Sequence, residues 1–272
     1  MNAIPETSTI VLVHGAWADR SCWTNVILPL QRHGLKVTCA PIPLTSLSDD
    51  VAALNRAVER TSGPLILAAH AYGGAVIAGV REDRVKSLVY IAALAPDEGE
   101  TVAKVFYRDE PDPKAPKLAP DAHGFIWMPE GGFRDAVAHK ASADQTSIMQ
   151  AVQRPIAVQC IQEPAPAPIW KVKPSWFLLA EEDRMINPKT QRFMADRMRA
   201  TVRSERVDKL EATAADGQVR WSRGDSFDGS AQGGAHEEEG FSDRVDWRDR
   251  EQNREILNRC GSRGASFRSQ GG

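Results

Sequence analysis

The stretch Leu65-Ile66-Leu67-Ala68-Ala69-His70-Ala71-Tyr72-Gly73-Gly74-Ala75-Val76-Ile77 constrains this chain more than any other. An apolar run enters a pair of glycines and leaves as a second apolar run, the pattern of a buried strand that turns sharply into a helix. So tight a reversal brings strand and helix close enough that the positions two before and two after its centre must be small. Ala69 and Gly73 meet that demand around Ala71, and Gly74 lets the new helix lie against a sheet. A strand, turn and helix joined in this way belong to α/β architecture with a mainly parallel sheet.

The rest of the first two hundred residues repeats the alternation. Thr9–Val13 is a short β-branched strand that ends in His14-Gly15-Ala16-Trp17. Lys36–Ala40 is a second strand, stopped by Pro41 and Pro43. Ser48-Asp49-Asp50 offers an N-cap and an acidic first turn to a helix over Val51–Thr61. Leu65–Ala69, Ser87–Ala92, Ser175–Ala180 and Thr201–Val207 complete six strands, and the fourth is apolar on both faces, as a central parallel strand should be. Asn187-Pro188 opens a helix that runs to about Arg199, with the residue order of an N-cap followed by proline.

Two segments stand apart from that alternation. Residues 97–168, bounded and divided by Pro111–Pro120 and Pro164–Pro168, carry helices expected at Thr101–Tyr107, Gly132–Ala141 and Asp144–Val152. An insertion of this size between the fourth and fifth strands reads as a cap over a pocket. The expected α/β domain is therefore 1–208, and 209–272 reads as a low-complexity, disordered tail. Ten of the twenty glycines and none of the seventeen prolines fall after Asp208, where Arg far outnumbers Lys. That composition suits a natural low-complexity tail or a GC-rich gene read out of frame.

Composition excludes several classes. A net charge of −2 gives no electrostatic case for nucleic acid. No apolar run approaches the roughly eighteen residues of a membrane span. Met1–Thr9 lacks the basic start of a signal peptide. Cys22, Cys39, Cys160 and Cys260 are scattered without metal-ligand spacing, so free thiols in a cytoplasmic protein are expected, with no metal and no cofactor. The expected partner is a small-molecule substrate or ligand, and no signal for oligomeric state is present.

In an acyl-transfer site, a turn like the one at Ala71 projects a hydroxyl, and backbone N–H groups face the developing oxyanion. The Tyr72 amide lies at the start of the helix, and the Ala16 amide in the loop after the first strand is the second expected donor. His14, Gly15, Trp17, His70 and Trp127 are the candidate pocket residues. For His70 a place in the sheet packing is the plainer alternative, and for Trp127 packing between cap and core. Tyr72 could also offer its hydroxyl, whereas His123 and His139 read as solvent-facing.

With these motifs in order, the chain resembles the α/β-hydrolase superfamily, in particular the branch of small methylesterases and hydroxynitrile lyases, over roughly Ser8–Asp208. The HGAW-type loop and the GHSxGG-type elbow carry the resemblance. It implies an esterase-like activity toward small esters, with a nucleophile, an acid and a histidine in that order. Ala71 stands at the nucleophile position and is not competent. Asp183, in Ala180-Glu181-Glu182-Asp183-Arg184-Met185-Ile186-Asn187-Pro188, matches the acid position, although a loop carboxylate capping the next helix would look the same. The histidine should follow the last strand, but Asp208 is followed by Lys209, and His236 lies in Gly- and Glu-rich sequence. Impaired or absent hydrolysis is therefore expected. A small-molecule-binding pseudo-hydrolase and a lyase or oxygenase using Tyr72 or His14 are the alternatives.

Overall fold

A computed structural model describes residues 8–214. Six parallel strands form one sheet: β1 (Thr9–Val13), β2 (Lys36–Cys39), β3 (Leu65–His70), β4 (Val85–Ile91), β7 (Ser175–Ala180) and β8 (Thr201–Glu205), in the order β2-β1-β3-β4-β7-β8. The register sets Thr9 beside Lys36 on one side and beside Leu65 on the other. Alternate residues feed two cores. Val11, Val13, Leu65, Leu67 and Tyr90 pack beneath α2 (Leu47–Glu59) and α3 (Gly73–Ala78). Ile10, Leu12, Ile66 and Ile91 pack with Trp23 and with Val26 and Leu30 of α1 (Thr24–Arg32). Burial on both faces is what makes the inner strands continuous apolar runs. The edge strands β2 and β8 instead expose Lys36, Thr201 and Arg203.

The strand order reverses between β1 and β3, since β1 is followed by β2 on one side and β3 lies on the other. Loops leaving the carboxyl ends of strands at such a point diverge and leave a crevice. The loop His14–Trp17 and the turn around Ala71 are those two loops.

Several boundaries differ from expectation. Helix α2 starts at Leu47, because Ser46 rather than Ser48 is the N-cap and its hydroxyl accepts the Asp49 N–H at 3.0 Å. Asp50 is consequently a buried helical residue, not part of an exposed first turn. The insertion holds α4 (Val102–Phe106), α5 (Ala143–Val152) and α6 (Val158–Gln162). It also holds a two-residue antiparallel pair, β5 (Phe125–Ile126) with β6 (Ile156–Ala157), too short to show any alternation in sequence. The helix expected over Gly132–Ala141 shrinks to a five-residue π-turn at Phe133–Val137, where Ala138 N–H reaches back to Phe133 O at 2.7 Å. Beyond it the chain is tied to the turn after β8: Lys140 N–H donates to Asp208 Oδ2 at 2.9 Å, and Leu210 N–H to Val137 O at 3.1 Å. His139 is accordingly not solvent-facing, and only 9% of its side chain is exposed.

Packed structure continues past Asp208. Lys209 is buried, and Ala212, in the short α8 (Glu211–Ala214), joins the core beside α1. Residues 215–272 of the expected tail, with Cys260 and His236, lie outside the described residues. After β7, α7 (Pro188–Arg197) opens as expected, with Asn187 accepting the Lys189 N–H at 2.9 Å.

Candidate active site

The turn after β3 is held in an unusual backbone conformation. Ala71 has φ of 51°, in the left-handed region that disfavours a residue bearing a Cβ. Its N–H donates to Ile91 O at 3.3 Å, and its carbonyl accepts from Gly74 and Leu94 at 3.2 and 2.8 Å, so neighbouring strands fix the strain. The loop after β1 closes against it. A Cβ on Gly15 would lie 2.7 Å from the Ala71 methyl, and one on Gly73 2.7 Å from His14 O. Only glycine allows these two backbones to interlock. The result presents the Ala71 side chain, but that side chain is a methyl group.

Around it, the Ala16 and Tyr72 amides are available as donors: among the described residues no backbone carbonyl accepts either. Trp17, at φ of 59°, anchors its loop to the insertion by donating from Nε1 to Ile126 O at 3.0 Å. His14 is fully buried, and its Nδ1–H donates to Gly15 O at 2.9 Å, which braces the same loop. Burial lowers the His14 pKa to about 4, so the ring is neutral at pH 7.

This buried imidazole predicts an acid-sensitive contribution to stability. Between pH 6.5 and about 4 the unfolded chain binds a proton at His14 that the folded chain refuses, so stability falls as pH falls through that window. Across it, the stability of the protein relative to its His14→Gln variant should drop by up to roughly 3 kcal/mol. Urea denaturation of both proteins at several pH values measures this, and a constant gap would show that His14 titrates normally.

The other candidates differ in how they face the crevice. His70 is buried, its ring edge-on to Trp23 with centroids 6.5 Å apart, and its Nδ1 would lie 3.5 Å from a Cβ on Gly15, so it packs against the loop after β1. Trp127 sits on the outside of the insertion, 48% exposed, with Nε1 donating to Asp121 Oδ2 at 3.1 Å. Its neighbour Met128 is the buried one, clustered with Phe133 and Met185. The Tyr72 hydroxyl points into the core, where it donates to Asp50 Oδ2 at 2.7 Å. Asp50 also accepts the Leu44 N–H, and burial pushes its pKa up to about 6.

Asp183 follows β7 and is buried. Its Oδ1 accepts the Met185 and Ile186 N–H groups at 2.8 and 3.0 Å, and its Oδ2 accepts Gln191 Nε2 at 3.0 Å. The fourth donor is Lys209 Nζ, 3.3 Å from Oδ2 and 3.4 Å from Ala92 O. Burial pushes the Asp183 carboxyl up and the Lys209 ammonium down, and their mutual attraction opposes both shifts. Lys209 thus stands against Asp183 where the resemblance leads one to expect a histidine. Its position directly after Asp208 was the available signal. Among the described residues no cluster of His, Cys, Asp and Glu has the arrangement of a metal site.

Residues 10–217 match the model of the alpha/beta hydrolase family, and the chain belongs to that family. Among curated proteins, it is 30% identical over 151 residues to a carbendazim hydrolyzing esterase from Nocardioides sp. (strain SG-4G). That match covers 49% of this chain and spans 57% of the length of the relative. Solved structures share the fold at low identity. A pyrethroid hydrolase from Sphingobium faniae JZ-2 superposes with a TM-score of 0.67 at 20% identity, over 78% of this chain and 93% of that one. Polyneuridine aldehyde esterase gives 0.67 at 13% identity, over 78% and 96%. The chain is thus an α/β hydrolase by family and fold. No helix among the described residues is long and apolar enough to cross a membrane.

Proposed function

We propose that this protein is an ester-hydrolase scaffold of impaired turnover that retains the capacity to bind a small carbonyl compound, with residues 97–168 acting as a cap. The observation that carries the reading is the pairing of Lys209 with Asp183 beside a turn whose central residue is Ala71. Acyl transfer needs a hydroxyl to attack and a base to take its proton. The Ala71 methyl cannot form an acyl-enzyme. An ammonium held against a carboxylate has no lone pair with which to accept a proton. What remains is the pair of unclaimed amides at Ala16 and Tyr72, which can still donate to a carbonyl oxygen.

The lyase or oxygenase reading loses the Tyr72 hydroxyl, which is committed to Asp50. His14 spends Nδ1 on Gly15 O and keeps Nε2 without a partner, so it alone would supply the base that reading needs. The thiols of Cys22, Cys39 and Cys160 are free, which suits a reducing compartment such as the cytoplasm.

The proposal is tested with purified protein and p-nitrophenyl acetate. Release of p-nitrophenol should stay at the rate of a heat-denatured control, while small neutral esters raise the melting temperature saturably and are recovered intact by mass spectrometry. Hydrolysis well above the control that co-purifies with the protein would overturn it.

A further inference from the structure

A second cavity lies where the insertion meets the loop that follows β7. An open cavity of about 530 Å³ is lined by Lys114, Arg134, Asp135, His139 and Arg184. Its one lining carboxylate is already taken. Arg134 grips Asp135 through two parallel bonds, Nε to Oδ1 at 2.9 Å and Nη2 to Oδ2 at 3.1 Å, and this pairing is the main reason the Asp135 carboxyl lies below its usual range. Glu130 also lies within electrostatic reach of Arg134. Lys114 and Arg184 act on the same Asp135 carboxylate, but only at longer range. Among the described residues neither Lys114 nor Arg184 forms an ion pair.

Arg184 is nevertheless fixed at the wall, because its Nη1 donates to the backbone carbonyl of Asp135 at 2.9 Å. That bond leaves the remaining guanidinium N–H groups for another acceptor. His139 adds a buried polar atom without a partner. Its Nδ1 makes no hydrogen bond, and the nearest acid oxygen, Asp208 Oδ2, stands at 3.9 Å, beyond bonding distance. That oxygen already accepts the Lys140 N–H. Three cations therefore line one cavity against a single lining carboxylate, beside a largely buried imidazole.

We propose that this cavity binds a small dianion, a dicarboxylate or a phosphate group, held between Lys114 and Arg184. Three cations against one lining carboxylate leave an excess of positive charge that favours a ligand carrying two negative charges. A planar guanidinium fixed by one bond is suited to a two-oxygen contact with a carboxylate or phosphate.

The test follows the melting temperature of the whole protein at pH 7.5 as malonate, inorganic phosphate or acetate is added, with ionic strength held constant by sodium chloride. Malonate or phosphate should raise it saturably, acetate far less, and the stronger of the two dianions identifies the source of the ligand chemistry. Lys114→Gln should weaken the apparent affinity roughly three- to tenfold, a loss of up to about one tenfold step per removed charge. Arg184→Gln should weaken it at least as much. Lys114 is exposed, so Lys114→Glu keeps the test decisive if the Arg184 variant fails to fold. A shift that is absent, equal for acetate, or unchanged in Lys114→Glu overturns the proposal.

Discussion

Placing Ser at position 71 and His at position 209 together should give ester hydrolysis that neither replacement gives alone. Ala71→Ser puts a hydroxyl on a turn whose φ of 51° already projects the side chain, beside two amides that no backbone carbonyl claims. With Lys209 still an ammonium on Asp183, that hydroxyl has no base. Lys209→His supplies an imidazole at the residue whose side chain already reaches Asp183, but leaves nothing to attack the ester. Members of a catalytic unit are grossly non-additive, and losing the nucleophile alone in a well-studied serine hydrolase costs on the order of 10⁶ in turnover. Each single variant should therefore remain within about tenfold of background, while the double variant gains roughly 10²-fold or more. The gain should fall short of a full enzyme, because the imidazole is shorter than the lysine it replaces. Initial rates with p-nitrophenyl acetate on all four proteins decide this. A double variant no faster than Ala71→Ser would show that position 209 is not the place of the base.

The order of loops was readable because each strand-to-loop junction carries its own chemistry. Gly15 and Gly73 forbid a Cβ at two backbone crossings, and those glycines alone locate the crevice between β1 and β3. Parallel strands buried on both faces announce themselves as apolar runs, which explains why the four inner strands are legible to within two residues. The insertion was harder, since its order comes from tertiary bonds. The π-turn at Phe133–Val137 ends where Lys140 and Val137 are claimed by Asp208 and Leu210, some seventy positions away in sequence. The surroundings of His70 and Trp127 were illegible for a related reason: a motif places a residue near a site but does not say which way its side chain turns. Lys209 was visible only as an absence. That a lysine can occupy buried space beside Asp183 depends on the carboxylate being there to meet it, and no local pattern in the sequence records that pairing.

That dependence makes Asp183 the residue whose loss should cost the fold most. Its carboxylate accepts two backbone N–H groups, the Gln191 amide and the Lys209 ammonium, all buried. Asp183→Ala leaves the Met185 and Ile186 N–H groups without this acceptor, Gln191 Nε2 with Ile186 O alone, and the Lys209 ammonium with Ala92 O alone and no counter-charge. Removing one partner of a buried ion pair costs about 3–5 kcal/mol, because the surviving charge stays desolvated. Lys209→Met is the milder change, since Asp183 keeps three donors and methionine fills much of the lysine's volume; it should cost about half as much or less. The two variants should also differ in pH dependence. In Asp183→Ala the folded state holds the Lys209 proton more weakly than the unfolded chain does, so the unfolded chain binds more protons and stability rises as pH increases toward the ordinary lysine range. Lys209→Met has no such group and should show no rise there. Urea denaturation of the three proteins between pH 7 and pH 10 measures both effects. If Lys209→Met proved as costly as Asp183→Ala, the lysine rather than the carboxylate would be the anchor of this corner of the fold, and its replacement by histidine could not be expected to leave the scaffold intact.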